Sequence, residues 1–210
     1  MPKYVISLAV SFLIWGLSIA ISTAEPIKIV GFGDSLMAGY QLQVGQGFPA
    51  QLQKALAAKG LDVEVADAGV SGDTSSGGLS RLDWSVPDGT QFVILELGAN
   101  DALRGISPEA TEANLEQMIE KLNTRKIKVI LAGMLAPPNM GKPYVDAFNA
   151  IFPKLAKKHD LAIIPFFLEG VIGVSTLQLE DRMHPNPMGV EKMVANALPT
   201  IEKAISALSR

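Results

Sequence analysis

The sequence contains no cysteine and only two histidines among its 210 residues. Without thiols, the protein can form neither disulfide bonds nor thiolate metal sites, and a cysteine nucleophile is excluded. Basic residues are not in excess either. The sequence has 18 Lys and Arg and 21 Asp and Glu, which gives a net charge of −3 at pH 7. Since nucleic-acid-binding domains usually carry a basic patch, we expect no nucleic-acid partner.

One long hydrophobic run is present, at the N-terminus. Lys3 precedes a nearly unbroken apolar run over residues 4–21, and the small residues Ser-Thr-Ala follow at 22–24. This order is typical of a secretory signal peptide, so we predict a signal peptide over residues 1–24 that leaves Glu25 as the new N-terminus. The run is also just long enough to span a bilayer as an uncleaved anchor. In both cases the body of the protein is predicted to be exported, to the periplasm or out of the cell.

The remaining chain, residues 25–210, is long enough to bury a substantial core and is predicted to be a single domain. Short apolar runs rich in β-branched residues predict five strands, and segments with helical spacing of apolar residues lie between them. The strands are predicted over residues 27–32, 62–68, 91–98, 127–134 and 161–167. The helices are predicted over residues 48–60, 107–126, 143–159 and 187–208, the last with Pro199 as a point where it can kink.

This alternation of strands and helices predicts a three-layer α/β/α fold, in which helices cover both faces of a five-stranded parallel sheet. In such sheets, ligands bind beyond the carboxyl ends of the strands. Functional motifs are therefore expected in the loops that follow the strands.

The loop after the first strand reads "GFGDSLMAGY", residues 31–40. Its opening Gly-Phe-Gly is similar to a dinucleotide-binding fingerprint, but Leu36 stands where that fingerprint needs a small residue. An aspartyl-phosphate phosphatase is also disfavoured, because Asp34 is the only acid in the loop. Ser35 remains, since a serine directly after a buried strand can present its hydroxyl beside backbone N–H groups. A serine in this place is more often a helix cap, so the loop alone does not decide its role.

Three further loops carry polar motifs. "AGVSGDTSSGG" follows the second strand, "GANDALRG" follows the third, and "EDRMHPNP" holds Asp181 three residues before His184. Together with "GDSL", these blocks resemble the GDSL esterases of the SGNH-hydrolase superfamily, which is named for a serine, a glycine, an asparagine and a histidine. The matching residues are Ser35, Gly72, Asn100 and His184.

The resemblance covers the whole mature chain in the family's block order. It is strongest to the small periplasmic branch of thioesterase I, lysophospholipase and arylesterase, and "MAGYQL" and "LRGISPE" add to it. The chain differs at Arg182 and Met183, where the family often carries glycine or glutamate, and Ala99 fills the open position of "GxND". None of these differences touches an expected catalytic atom. The resemblance implies a flavodoxin-like fold and a monomer.

The family resemblance also implies a mechanism, the hydrolysis of carboxylic esters or thioesters of acyl substrates, with lysophospholipids among the candidates. Ser35 is expected to attack the carbonyl carbon, His184 to accept and return the proton, and Asp181 to orient His184. The backbone N–H groups of Ser35 and Gly72 and the side-chain amide of Asn100 are expected to bind the oxyanion. No metal and no cofactor are implied.

Other interpretations stay open at this point. Asp181 and His184 alone could be a structural pair, and with Asp34 they could form a zinc site, although one histidine and two scattered acids are a sparse ligand set. The same scaffold could serve a cell-envelope carbohydrate O-acetylesterase or an acyltransferase, which would need a carbohydrate acceptor where a hydrolase needs only water. A purely binding role would leave the four polar blocks without a purpose.

Residues near the blocks are assigned supporting roles. Asp34, Asp73 and Asp101 are expected to cap turns and hold loops, and His159 is expected to be a surface cation at a helix C-terminus. The hydroxyls that rival Ser35 but do not directly follow a strand are Ser71, Thr74, Ser75 and Ser76. For a further set of residues the sequence leaves two roles open, the border of an acyl groove or packing alone. They are residues 135–148, Met37, Leu103, Ile106 and Met183.

Overall fold

The computed structural model describes residues 25–209. The segment predicted to be a signal peptide, residues 1–24, lies outside the described residues, so the division of the chain into a leader and one domain stays a prediction. Within residues 25–209, no helix is both long enough and apolar enough to cross a membrane.

The predicted strands form one five-stranded sheet in which every neighbouring pair is parallel. The strands are β1 Ile27–Gly33, β2 Val63–Gly69, β3 Phe92–Glu96, β4 Lys128–Ala132 and β5 Ala162–Ile164. Their spatial order is β2-β1-β3-β4-β5, which is the flavodoxin-like order. The fold prediction is confirmed.

Helices cover both faces of the sheet. The long helices are α2 Phe48–Ala58, α3 Ser75–Ser85, α5 Pro108–Thr124, α6 Lys142–His159 and α7 Pro187–Ser206, and the short ones are α1 Ser35–Ala38 and α4 Ala99–Leu103. Helix α2 packs against α7, while α5 packs against both α3 and α6. Right-handed crossovers place these two groups on opposite faces, which gives the three predicted layers.

The four predicted helices are present, and α7 continues through Pro199. Helix α3 was not predicted, because its Ser-Ser-Gly-Gly start has a low helix propensity. Thr74 caps this helix by accepting a hydrogen bond from the Gly77 N–H at 3.3 Å. A Cβ atom at Gly78 would lie only 2.3 Å from the Leu97 side chain. The glycine therefore permits close packing, and that packing outweighs the poor propensity.

The strand register brings the polar loops together. Gly33 at the end of β1 is aligned with Gly69 at the end of β2 and with Glu96 at the end of β3. The loops that follow these three strands therefore leave the same edge of the sheet side by side. In this strand order, the crevice between β1 and β3 is the place where ligands bind.

Candidate active site

Ser35 is the first residue of α1 and directly follows Asp34, the N-cap residue at the end of β1. Asp34 Oδ1 accepts a hydrogen bond from the Leu36 N–H at 3.0 Å, which fixes the first turn of the helix. This short, capped turn places Ser35 in the lining of a cavity at the carboxyl edge of the sheet.

The structure joins Ser35 to the loop that precedes α7. His184 Nε2 lies 2.9 Å from Ser35 Oγ, and His184 Nδ1 lies 2.7 Å from Asp181 Oδ2. Carboxylate, imidazole and hydroxyl thus form one continuous chain of hydrogen bonds. In this geometry an imidazole can accept the hydroxyl proton while the carboxylate holds the ring in the required tautomer.

The second oxygen of Asp181 holds the turn that carries the histidine. Asp181 Oδ1 accepts hydrogen bonds from the Met183 N–H at 2.9 Å and from the His184 N–H at 3.0 Å. Burial opposes ionisation, but these bonds and the one to the imidazole outweigh it and lower the pKa of Asp181 to about 2. The carboxyl group therefore stays charged near neutral pH. Arg182, within the turn, has a φ of 56°, a conformation that glycine adopts more readily.

Gly72 and Asn100 line the same cavity as Ser35 and His184. Gly72 has a φ of 86°, a backbone angle that residues other than glycine rarely adopt. Asn100 lies in α4, and its Nδ2 donates a hydrogen bond to Asp34 Oδ2 at 2.9 Å. Because an amide nitrogen carries two protons, the second proton is left for a group bound in the cavity.

The cavity has a volume of about 790 Å³, which is within the range of small-molecule sites. Of the residues left open for a groove, Leu103 and Met183 line the cavity and are 50% and 45% exposed. The start of the loop 135–148 lines it too, with Leu135, Ala136, Pro137 and Pro138. Met37 is fully buried in the core, so of the two roles left open for it the structure shows packing. Ile106 is not part of the lining. The other apolar lining residues are Leu36, Tyr40, Ala99, Met134, Phe166, Leu168 and Ile172.

The neighbouring acids hold the loops, as predicted. Asp73 forms an ion pair with Arg81 Nε at 2.6 Å, and Asp101 accepts a hydrogen bond from the Ser75 hydroxyl at 2.5 Å. Ser75 is fully buried, so it has no access to a substrate. Ser71 lines the cavity and is the rival hydroxyl best placed to be tested against Ser35.

The prediction that His159 is a surface cation was wrong. Its side chain is only 13% exposed, and its Nε2 lies 2.9 Å from Glu116 Oε1 of α5. His159 shares a smaller cavity with Lys128, the first residue of β4, and so lies at the edge of the sheet opposite Ser35. Across residues 25–209, no group of three or more His, Asp and Glu side chains is placed to hold a metal ion.

Three residues that shape the site were missed by sequence reasoning. The Tyr40 ring packs on the imidazole of His184, with ring centroids 4.4 Å apart. Arg81 is buried and its Nη2 donates to a backbone carbonyl at the end of β1 at 2.8 Å. Glu96 is buried and its Oε2 accepts a hydrogen bond from the Asp34 N–H at 3.1 Å. Only Glu96 gave a signal in the sequence, as an acid inside the apolar run "QFVILELG".

Comparisons with known proteins agree with this geometry. Residues 32–192 match the GDSL-like Lipase/Acylhydrolase family. An arylesterase of Vibrio mimicus is 41% identical over 179 residues, which cover 83% of this chain and 87% of that protein. The thioesterase 1/protease 1/lysophospholipase L1 of Escherichia coli (strain K12) is 37% identical over 166 residues, which cover 79% of this chain and 77% of that protein.

A solved structure extends the similarity to three dimensions. The crystal structure of AlinE4, an SGNH-hydrolase family esterase, matches with a TM-score of 0.73 and 44% sequence identity. The match covers 87% of this chain and 98% of AlinE4. The chain belongs to the GDSL-like lipase/acylhydrolase family and is a hydrolase of ester bonds.

Proposed function

We propose that the protein hydrolyses carboxylic ester or thioester bonds of acyl substrates through a covalent acyl-enzyme on Ser35. The observation that carries this proposal is the chain of hydrogen bonds from Ser35 through His184 to Asp181. The names of two relatives, an arylesterase and a thioesterase and lysophospholipase, support the substrate class.

In the acylation half-reaction, Ser35 Oγ attacks the carbonyl carbon of the substrate while His184 Nε2 takes the hydroxyl proton. The tetrahedral intermediate then expels the alcohol or thiol, which receives that proton from His184. Asp181 accepts a hydrogen bond from Nδ1–H throughout, and its negative charge stabilises the imidazolium. In the second half-reaction, water attacks the acyl-enzyme with His184 again as the base, and Ser35 is regenerated.

The negative charge on the substrate's carbonyl oxygen is stabilised by three donors. We assign them to the N–H groups of Ser35 and Gly72 and to the second amide proton of Asn100. All three residues line one cavity, and because Gly72 is a glycine, it has no side chain to stand between its N–H group and a ligand. Removal of one such donor typically lowers kcat by about 10²–10³-fold.

The cavity lining favours an apolar acyl group. Next to Ser35, the side chains of Leu103, Leu135, Ile172 and Met183 are half exposed to the cavity and to solvent. A bound acyl chain would cover these side chains and remove apolar surface from water. This lining favours acyl esters over acetylated sugars, whose hydroxyl groups would need polar partners.

A substrate panel tests the proposed function. We expect p-nitrophenyl esters and acyl-CoA thioesters to be hydrolysed with water as the only acceptor and with a chelator in the buffer. Each CH₂ group that the cavity buries contributes at most about 0.8 kcal/mol, so kcat/KM is expected to rise by up to about fourfold per added CH₂ until the cavity is filled. Activity that appears only when a carbohydrate acceptor is added would replace the hydrolase with an acyltransferase.

Substitution of Asp181 by Asn is expected to lower kcat by about 10⁴-fold, the effect of the equivalent change in a serine-protease triad. The amide keeps the shape of the carboxyl group but loses its charge, and it can hold the imidazole in the wrong tautomer. Steady-state kinetics on a p-nitrophenyl ester measure this loss. A matched control is Asp160→Asn at the end of α6, which is expected to leave kcat unchanged. Equal activity of the two variants would remove Asp181 from the mechanism.

We also propose that residues 25–210 act after export, as a monomer. The signal pattern at residues 1–24 supports export.

A further inference from the structure

A buried acid lies directly beneath the loop that carries Ser35. Glu96, the last residue of β3, has no solvent exposure, and its Oε2 accepts a hydrogen bond from the Asp34 N–H at 3.1 Å. A Cβ atom at Gly33 would lie 2.3 Å from the same oxygen. The glycine thus makes room for the Glu96 carboxyl group beside the backbone of the first block.

The charge of Asp34 influences the ionisation of Glu96. Burial, the charge of Asp34 and a hydrogen bond with the Asp34 side chain all raise the pKa of Glu96 well above its usual value. Burial also raises the pKa of Asp34, to about 6, but hydrogen bonds from the Leu36 N–H and Asn100 and the nearby His184 oppose that rise. These shifts favour a charged Asp34 beside a neutral Glu96.

The hydrogen bonds of the two acids also fit a charged Asp34 and a neutral Glu96. Asp34 accepts hydrogen bonds from the Leu36 N–H at 3.0 Å and from Asn100 Nδ2 at 2.9 Å, which suits a charged carboxylate. Glu96 Oε1 has no hydrogen-bond partner among residues 25–209. Because a buried charge needs several donors, this oxygen suits a neutral acid. A neutral Glu96 needs no donor at Oε1, while its Oε2 accepts from the Asp34 N–H.

We propose that Glu96 is a positioning residue of the esterase: it holds Asp34 in place, and Asp34 in turn orients the Asn100 amide toward the oxyanion. Glu96 touches no substrate and acts only through this chain of hydrogen bonds. The inference rests on the proposed roles of Ser35 and Asn100.

Two substitutions separate this role from simple packing. Glu96→Gln keeps a neutral acceptor for the Asp34 N–H in a side chain of similar shape, so kcat is expected to stay within about threefold of the wild type. Glu96→Met also has a similar shape but removes the acceptor and leaves the Asp34 N–H unpaired. We expect it to lower kcat by about 10–10²-fold, part of the loss that follows removal of an oxyanion donor, while KM changes by less than about threefold.

The experiment measures kcat and KM on a p-nitrophenyl ester, per active site titrated with an organophosphonate. Leu95→Ala, which truncates the neighbouring buried residue of the same strand, controls for the loss of stability and is expected to keep its kcat. In an Asn100→Ala background, Glu96→Met is expected to lower kcat by less than about threefold further, because coupled residues do not act additively. Should Glu96→Met fail to fold, Glu96→Asp, which withdraws the acid by one CH₂ group, must show the same fall in kcat.

Three outcomes would overturn the role of Glu96: a kcat of Glu96→Met equal to that of Leu95→Ala, full additivity with Asn100→Ala, or equal losses in Glu96→Gln and Glu96→Met. Failure of the proposed function looks different. In that case Ser35→Ala would keep its activity, whatever the Glu96 variants do.

Discussion

Ser35→Ala is expected to fold like the wild-type protein and to lose about 10⁵–10⁶-fold in kcat, the effect of removing the nucleophile from a serine-protease triad. The hydroxyl makes one close contact, with His184 Nε2, and a longer one of 3.5 Å to Asp34 Oδ1. Its removal therefore deletes the nucleophile while the caps and packing of α1 remain. Steady-state kinetics and thermal unfolding of the two proteins measure both effects.

Ser71→Ala is the matched control for Ser35→Ala. Ser71 lines the same cavity, so its substitution changes the polarity of the site by the same hydroxyl group. We expect Ser71→Ala to keep kcat within about threefold. A Ser35→Ala protein that retained a tenth of wild-type activity, or a Ser71→Ala protein that lost it all, would move the nucleophile to another hydroxyl.

The second large effect is expected for His184→Ala, which removes the only histidine that contacts Ser35 in residues 25–209. Without the base, kcat is expected to fall by about 10⁵–10⁶-fold, close to the Ser35→Ala level, because members of a triad fail together. The Ser35→Ala/His184→Ala double variant is therefore expected to be no less active than either single variant. Kinetics on one ester for the three proteins measure this.

His159→Ala is the control, since its imidazole contacts Glu116 at the opposite edge of the sheet. It is expected to lose stability and to keep its kcat. Retention of more than about a tenth of the activity in His184→Ala would reduce Asp181 and His184 to a structural pair. The general base would then have to be sought elsewhere.

Much of the architecture is readable from the sequence because local signals agree with the fold. The short apolar, β-branched run "IKIVGF" favours a strand, and Ser107 followed by Pro108 marks the start of α5 with a side-chain cap. The polar blocks could be placed at one edge of the sheet because parallel strands end together. The contact of His184 with Ser35, 149 residues apart, could be expected only from the family resemblance.

Features that depend on packing between distant segments could not be predicted. The first turn of helix α3 contains Gly78, which allows close approach to Leu97, so the low helix propensity of this segment misleads. Tyr40 meets His184 only because the turn after α1 and the loop before α7 converge. The position of His159 at a helix end predicts a surface cation. Its side chain is nevertheless largely buried, because it packs against Glu116 of α5. In each case the decisive partner lies far away in the sequence.

The central claim, an acyl-enzyme on Ser35 with His184 as its base, is tested most directly by covalent labelling. The full chain is treated with an organophosphonate, digested, and mapped by mass spectrometry, with His184→Ala treated in parallel. We expect one adduct per molecule, on the peptide that holds Ser35, with complete loss of esterase activity and much slower labelling of His184→Ala. An adduct on Ser71, Ser75 or Ser76 with Ser35 unmodified, or loss of activity with no adduct, would contradict this claim.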